Sequence, residues 1–278
     1  MSLSASTNTS ANTALRYLSQ NSAASANSLA KLSSGSRIVK ASDDAASLAV
    51  GTKIKADVTA LKQAQVNASQ ASSVLQVADG ALAQTTDILM RMKALSVQAQ
   101  SGSVSENERG FLNKEFEALI EQIEAIADQT KFNGEVLLDG AYDQSFQVGV
   151  ASTDKINVAL ADATALGLGV DALELIGDDG GTPAVPNAVA ASTAIDTAIA
   201  NINGQRADVG ASMSRFEFAS ANVANTIENL DAARSVLMDV DMAAEMSNFS
   251  SKQVMLQASV AMLAQANQQP QQLLRLLN

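Results

Sequence analysis

Two sets of positions with a seven-residue spacing run along the stretch between residues 44 and 99. The first set carries mostly large apolar side chains and the second, three residues later, mostly alanine: Ile54, Leu61, Ala68, Leu75, Leu82 and Leu89, then Asp57, Ala64, Ala71, Ala78, Thr85 and Met92. An average spacing of 3.5 residues over five heptads is typical of a supercoiled helix with a narrow apolar seam. At about 1.5 Å per residue, one helix over this stretch is about 84 Å long. The pattern therefore predicts a helical rod.

Two further apolar stripes with helical spacing accompany this seam. The longer one alternates steps of four and three, and ten of its 13 positions are apolar: Ile195, Ile199, Ile202, Arg206, Val209, Met213, Phe216, Ser220, Val223, Ile227, Leu230, Arg234 and Leu237. The shorter one predicts a helix over 106–128, after a capping-box pair formed by Ser105 and Glu108. Because the loop before this helix is short, an antiparallel hairpin with the long helix is favoured.

We therefore predict a mainly α fold, a long antiparallel coiled-coil-like helical rod. Its predicted core is made of large side chains from the three stripes: Ile54, Leu61, Leu75, Leu82, Leu89, Leu112, Phe116, Leu119, Ile123, Ile199, Val209, Phe216, Ile227 and Leu230. A small β-hairpin region interrupts the helices, since residues 146–150 and 156–160 alternate apolar and polar side chains around Ser152-Thr153-Asp154. Glycine and proline in 177–187 predict a linker.

Weaker seams occupy both ends of the chain. Near the start, Leu15, Leu18, Leu29 and Leu32 have heptad-compatible spacing, with Ser22 and Ser25 between them; near the end, Met242, Met246, Phe249, Leu256, Val260 and Leu263 continue the rhythm with Gln253 in register. We expect Pro270 to end the last helix. Four leucines follow it, at 273, 274, 276 and 277. Leaving each in water forgoes roughly 1.5–3 kcal/mol, so we expect them to find a partner.

Composition argues against an enzyme. The chain has no His, Cys or Trp, which excludes disulfides, thiol chemistry and the usual zinc ligands, together with the commonest general base. Acid pairs such as Asp43-Asp44 fit no calcium-binding loop and are better explained as helix starts or solvated surface. Met238, Met242 and Met246 are similarly better explained by helix packing than by metal binding. We expect no catalytic residue, cofactor or metal site.

The net charge of −11 is unevenly distributed. All 29 acidic residues but only 12 of the 18 basic ones lie between Asp43 and Glu245, a net charge of −17 there. The acid-free ends suit burial against each other or against other copies, or alternatively a pair of solvated tails. An acidic exterior disfavours nucleic acid and anionic membranes. We expect neither a membrane-spanning segment nor a cleaved signal peptide, because no apolar run is long enough and residues 1–14 lack a basic start.

Several segments resemble the bacterial flagellins. The similarity covers nearly the whole chain in order and is carried by LSSGSRI (32–38), ASDDAASLAV (41–50), QTKFNG (129–134), LGLGVDAL (166–173), RADVGASMSRFEFA (206–219) and SNFSSKQVMLQASVAMLAQANQQPQQLLRLLN (247–278). Typical flagellins carry a large variable outer domain where this chain has only the linker. The chain thus resembles a short flagellin.

The resemblance implies a non-enzymatic filament subunit that self-assembles helically for motility. It also implies that the terminal helices pair in the filament, where the residues that join copies are Leu15, Leu18, Leu29, Leu32, Leu256, Val260, Leu263, Leu273 and Leu276. The implied location is the extracellular filament, reached through the type III export apparatus. Implied partners besides further copies are the flagellar cap, the hook-associated junction protein, a flagellin export chaperone and the export gate, with no nucleic acid and no membrane insertion.

In the family, an immune receptor of the Toll-like type recognises a patch on the long helix and the next one. The matching residues of this chain are Arg91, Leu95 and Glu115. Ordinary rod surface and subunit contact is the alternative role for these three residues.

The predicted domain organisation has five parts. Residues 1–42 and 239–278 are polymerisation segments, 43–176 and 188–238 are the halves of the rod, and 177–187 is the linker. Two other functions remain open at this point: a hook–filament junction protein, and a surface adhesin built on a flagellin scaffold. The close match of the last 13 residues favours the filament subunit.

Overall fold

The computed structural model describes residues 8–176 and 185–277, with side chains over 8–176 and 187–269. This part of the chain holds five helices and four short strands, in the order α1 (Thr9–Ser34), α2 (Ala45–Ala99), α3 (Glu106–Gln129), β1 (Lys131–Phe132), β2 (Glu135–Val136), β3 (Asp143–Gln147), β4 (Lys155–Ala159), α4 (Val185–Met238) and α5 (Met242–Leu277). The predicted mainly α fold with long helices and a small β region is confirmed.

Helix α2 is continuous over 55 residues. Both lines of its predicted seam are buried from Leu61 to Met92, while Ile54 and Asp57 are half-buried. Helix α3 begins with the predicted capping box, in which the Ser105 side chain accepts from the Glu108 backbone and the Glu108 side chain accepts from the Ser105 backbone. The local sequence thus predicts which face of α2 is buried and where α3 begins.

The chain folds into two compact units. The first comprises residues up to Val58 together with those from Glu228 onward, and the second comprises Thr59–Ile227. Helices α2 and α4 each contribute to both units. The second unit holds a continuous core in which α2, α3, α4 and the β region meet. Within it, the rings of Phe146 and Phe216 make an edge-to-face contact, with centroids 5.8 Å apart and planes at 90°.

The β region contains two separate antiparallel pairs. Strands β3 and β4 pair with Phe146 opposite Ile156, as the alternation predicts. Val150 lies beyond the end of β3. Strands β1 and β2 form a second, smaller pair through Asn133-Gly134, both at positive φ. An Asn-Gly dipeptide is the usual turn of a two-residue hairpin, but the flanking strands are too short to give an alternating pattern in the sequence.

Two sequence expectations about helix ends are wrong. Helix α4 begins at Val185, so residues 185–187 belong to it and not to a linker; proline is compatible with a first helical turn, where its missing N–H leaves no bond unmade. Residues 177–184 lie outside the described part of the chain. Helix α5 continues through Pro270 to Leu277. Proline removes one backbone hydrogen bond from a helix interior, which costs stability but does not by itself force an end.

Candidate assembly interface

Helices α1 and α5 pack side by side in the first unit. Their least exposed positions alternate in steps of three and four on each helix: Ala11, Ala14, Leu18, Asn21, Ser25, Ser28 and Leu32 on α1, and Glu245, Phe249, Lys252, Leu256, Ser259, Leu263 and Ala266 on α5. This is the periodicity of a two-stranded coiled coil. The contact between the helices is therefore a seam, which we call the terminal seam.

The terminal seam is joined by polar side chains. The Asn21 amide donates to the Ser259 hydroxyl at 2.8 Å, and the Lys252 ammonium donates to the Ser28 hydroxyl, also at 2.8 Å. Near the start of α1, the Asn8 amide donates to the Ala266 carbonyl at 2.9 Å. Residues late in α5 therefore meet residues early in α1, so the two helices run antiparallel.

The sequence predicted only one line of the seam on each helix. Leu18 and Leu32 of α1, and Leu256 and Leu263 of α5, lie in the terminal seam and are half-buried. The other predicted line is displaced by one residue on both helices, because the sequence pattern favours the more apolar neighbour. Leu15, Leu29 and Val260 consequently face solvent, with 53–55% of each exposed. The side chains of Leu273 and Leu276 lie outside the described residues.

Large apolar residues are exposed on the outer surface of this helix pair. They are Leu15, Tyr17 and Leu29 on α1, and Met242, Met246, Val254, Met255, Val260 and Met262 on α5. A groove of about 750 Å³ runs between the helices, with Tyr17, Met255 and Met262 among its lining residues. The seam of the pair thus mixes apolar and polar side chains, while several large apolar side chains of both helices remain exposed. Apolar surface of this kind marks a protein interaction site.

The turns that flank the helix pair are joined by a short β-bridge. Ser36 pairs with Asp239, the Arg37 amide donates to the Met238 carbonyl at 2.6 Å, and the Val240 amide donates to the Gly35 carbonyl at 3.1 Å. Gly35 ends α1 in the left-handed conformation, with φ of 68°. We call this connection the clasp. It fixes the position at which α1 and α5 leave α2 and α4.

The predicted rod-core residues are all at least half-buried. Eight are buried: Leu61, Leu75, Leu82, Leu89, Phe116, Ile123, Val209 and Phe216. Six are half-buried: Ile54, Leu112, Leu119, Ile199, Ile227 and Leu230. The ion pair of Arg206 and Asp79 joins α4 to α2 beside this core, with Nε and Oδ1 2.8 Å apart. The hydrogen bond and the negative charge of Asp79 raise the pKa of Arg206 above its ordinary value.

The three residues of the predicted receptor patch do not share one surface. The Arg91 guanidinium donates twice to one carboxylate oxygen of Glu115, at 2.8 and 2.6 Å, and both side chains are about half exposed. Leu95 is only 1% exposed and lies in the core between these helices. The three predicted residues therefore do not form a single exposed patch, because Leu95 is buried where α3 packs over α2.

Two kinds of site are missing from residues 8–176 and 185–277. Their acidic side chains form no cluster arranged to hold a metal ion. Their helices include none with the length and hydropathy needed to cross a bilayer.

Comparison with known proteins gives consistent matches. The model of the bacterial flagellin N-terminal helical region matches residues 5–143, and that of the C-terminal helical region matches residues 192–277. The chain is 42% identical to a flagellin of Halalkalibacterium halodurans, over 89% of each chain, and 38% identical to a flagellin of Bacillus subtilis, over 95% of this chain and 96% of that one.

A solved structure extends the comparison to the fold. A putative flagellar hook-associated protein from Vibrio parahaemolyticus matches with a TM-score of 0.61 and 16% identity, over 70% of this chain and 99% of that one. This likeness supports the helical architecture alone. The two matched regions and the identity to both relatives establish more, and the chain belongs to the bacterial flagellin family.

Proposed function

We propose that this flagellin is the structural subunit of a bacterial flagellar filament and that copies join through the apolar outside of the α1–α5 pair. The observation that carries the proposal is the set of large apolar side chains that this pair leaves exposed on both helices, which are leucine, tyrosine, valine and methionine. Asn21, Ser28 and Lys252 lie in the seam instead. Exposed apolar surface marks a protein interaction site, and further copies of this chain are the partner that fits it.

The filament subunit is favoured over the alternatives by the comparisons. Curated relatives that match nearly the whole chain are named flagellins, and flagellins are structural proteins and not enzymes. The junction protein and the adhesin have no comparable support. The extracellular filament is accordingly the place where this chain acts.

A seeded elongation assay tests the proposal. Leu29→Gln removes an exposed apolar side chain from α1, and Phe218→Gln, on α4, is a matched control at a position that is 74% exposed. Burying a leucine contributes about 1.5–3 kcal/mol, so the first change is expected to slow elongation roughly tenfold or more. The control is expected to elongate as the wild type does. Equal elongation by both variants would refute the role of α1.

A truncation gives an independent test. Deleting residues 264–278 removes the end of α5, including Ala266, which accepts the hydrogen bond from Asn8. We expect this chain to stop elongating while the core of Thr59–Ile227 still unfolds cooperatively on heating. A truncated chain that polymerises normally would contradict the proposal.

The domain organisation follows from the same proposal. Residues 1–42 and 239–278 serve as polymerisation segments, and residues 43–176 and 185–238 as the rod halves. The two polymerisation segments meet at the clasp and the terminal seam, which supports treating them as one assembly element.

The same ends are the surface that we propose for the other partners. A flagellar cap, a hook-associated junction protein, a flagellin export chaperone and the type III export gate all act on subunits before or at incorporation. The exposed apolar side chains of α1 and α5 are available for such contacts until other copies cover them. Co-elution of the purified chaperone with the full chain but not with the 264–278 truncation is expected; co-elution with both would place the contact elsewhere.

For a Toll-like receptor, the structure supports a narrower patch than the sequence does. We propose that Arg91 and Glu115 form its exposed surface and that Leu95 only supports them from the core. Arg91→Ala is expected to reduce receptor signalling in reporter cells, whereas Lys93→Ala, on the same helix and paired with Asp196, is the control. Undiminished signalling by Arg91→Ala would show that Arg91 and Glu115 do not form a receptor-binding patch.

A further inference from the structure

The polar pairs of the terminal seam are spaced one heptad apart. From Asn21 to Ser28 the step is seven residues forward on α1, and from Ser259 to Lys252 it is seven residues back on α5. Both pairs therefore belong to one antiparallel register. Ser28 is only 1% exposed, so the ammonium of Lys252 meets it inside the seam and not at its edge.

We propose that Lys252 and Asn21 are specificity residues, which make α5 pair with α1, and not with another α5, in a single register. The proposal rests on the function proposed above, since it concerns the helix pair that joins copies. A polar side chain at a seam position lowers the stability of a coiled coil but specifies register and partner. Here the two polar pairs have this role, because apolar contacts between leucine and alanine are tolerant of sliding.

Sliding by one heptad in either direction breaks both observed pairs and leaves at least one of their four side chains opposite a residue without a polar side chain. In one direction Lys252 moves opposite Gly35, beyond the end of α1, and Asn21 meets the methyl group of Ala266. In the other direction Lys252 moves opposite Asn21 and Ser28 opposite Glu245, but Ser259 meets Ala14 and loses its hydrogen bond. A buried polar group without a partner costs free energy. The observed register is the one that satisfies both pairs.

Lys252 also disfavours pairing between two copies of α5. Two parallel α5 helices in the same register would bring one Lys252 against the other inside the seam, and like charges at short range repel. Helix α1 offers Lys252 no carboxylate, because Thr9–Ser34 contains neither Asp nor Glu. The hydroxyl of Ser28 is instead the acceptor for the ammonium of Lys252, at 2.8 Å.

The choice of register and partner by the polar pairs matters because the exposed apolar side chains of the two helices do not select one packing partner over another. Leu15 and Leu29 on α1 and Val260 on α5 are all exposed apolar side chains that can pack in many ways. In a growing filament, many copies of both helices are close together. The two polar pairs fix the pairing of α1 with α5 first, and the exposed apolar side chains of the pair then meet other copies in one arrangement.

A disulfide reporter tests the proposal. The chain has no cysteine, so Ala14→Cys with Ala266→Cys creates the single possible intrachain bond, one heptad beyond the Asn21–Ser259 pair on both helices. Filaments grown from seeds are oxidised, and a non-reducing gel separates the faster intrachain product from interchain dimers. The reporter protein is expected to give mainly the intrachain product.

Lys252→Met in the reporter is expected to lower the ratio of intrachain to interchain product roughly fivefold or more. This is the change in an equilibrium ratio that the loss of one polar contact, worth about 1 kcal/mol, produces. Thermal stability should be kept or raised, since methionine suits the seam. Gln253→Met, at the next and exposed position, is the control and should leave the ratio unchanged. An unchanged ratio in Lys252→Met, with wild-type elongation, would overturn the inference while leaving the proposed function intact.

A double-substitution cycle provides the second measurement. Ser28→Ala leaves the ammonium without its partner and should lower the intrachain yield, and adding Lys252→Met should restore stability but not selectivity. If Lys252→Met fails to elongate, Lys252→Arg decides: restored elongation and intrachain product support the proposal, and their absence refutes it. Wild-type protein that does not elongate from seeds at all would instead refute the proposed function.

Discussion

The side chain of Met238, the last residue of α4, fills the space beside Gly51 on α2. A Cβ atom at Gly51 would lie 2.5 Å from the Met238 sulfur and 2.7 Å from its Cγ. Real Cβ atoms do not approach other atoms this closely, so the contact requires glycine at this position. It lies beside the clasp, where Arg37 donates to the carbonyls of both Met238 and Leu237.

We expect Gly51→Ala to destabilise the first unit although alanine is the better helix former. Glycine costs up to about 1 kcal/mol in a helix interior, but here the added methyl group must displace Met238. Hydrogen exchange should quicken in residues 45–58 and 228–241. Gly80→Ala is the matched control, because nothing lies within 4 Å of the new Cβ, and it should stabilise α2. Adding Met238→Ala to Gly51→Ala should reverse the loss; a double variant as unstable as the single one would contradict this explanation.

The sequence predicted the rod well because two independent properties agree there. In α2, heptad spacing and side-chain size both select the same face, and Leu75, Leu82 and Leu89 are buried accordingly. In α1 and α5 these properties disagree. The intrachain seam contains Asn21, Ser28 and Lys252, whereas the apolar residues beside them face outward, so an apolar pattern alone selects the neighbouring line.

Other features could not be predicted because they depend on contacts distant in sequence. The clasp joins Ser36 to Asp239 by backbone pairing, which leaves no side-chain pattern. The burial of Leu95 depends on how α3 packs over α2. A signal for the polar pairs was present, since Asn21 and Ser28, like Ser259 and Lys252, are a heptad apart. It becomes visible only when polar residues are counted as seam positions.

A second prediction contrasts two phenylalanines on α4. Phe216 is 1% exposed and makes the edge-to-face contact with Phe146, while Phe218 is 74% exposed. Phe216→Ala removes a buried ring and should cost about 3–5 kcal/mol of unfolding free energy. Phe218→Ala should change it by no more than about 0.5 kcal/mol. Denaturant unfolding of the monomer measures both, and similar midpoints for the two variants would show that Phe216 is not in the core.

The third prediction concerns Leu95. Because its side chain is 1% exposed, Leu95→Ala should destabilise the second unit by about 2–5 kcal/mol. Arg91→Ala breaks only a half-exposed ion pair with Glu115, and should cost at most about 1 kcal/mol, less in high salt. Thermal unfolding of both variants at two salt concentrations measures the difference, because only the loss caused by Arg91→Ala should depend on salt. A Leu95→Ala variant as stable as Arg91→Ala would place Leu95 at the surface after all.

The last prediction concerns the pH dependence of the α3 capping box. Hydrogen bonds from the Ser105 backbone and hydroxyl hold the pKa of Glu108 below its ordinary value of 4.5. The Ser105 amide donates to the Glu108 carboxylate at 2.8 Å. A group whose pKa is lower when folded stabilises the fold above its unfolded pKa, and this contribution disappears as the pH falls through the folded value. The cap should therefore remain intact at pH 5 and above and weaken below about pH 4.5.

Amide exchange, corrected for its intrinsic pH dependence, measures this effect at the start of α3. Protection of Ser105 and Glu108 should fall with acidification in the wild type. Glu108→Gln keeps an acceptor that does not titrate, so its protection should be nearly constant over the same range. Glu106→Gln removes another first-turn acid that is not part of the capping box. In this variant the protection of Ser105 and Glu108 should still fall as in the wild type. A flat wild-type profile, or the same slope in Glu108→Gln, would show that this carboxylate does not hold the helix start.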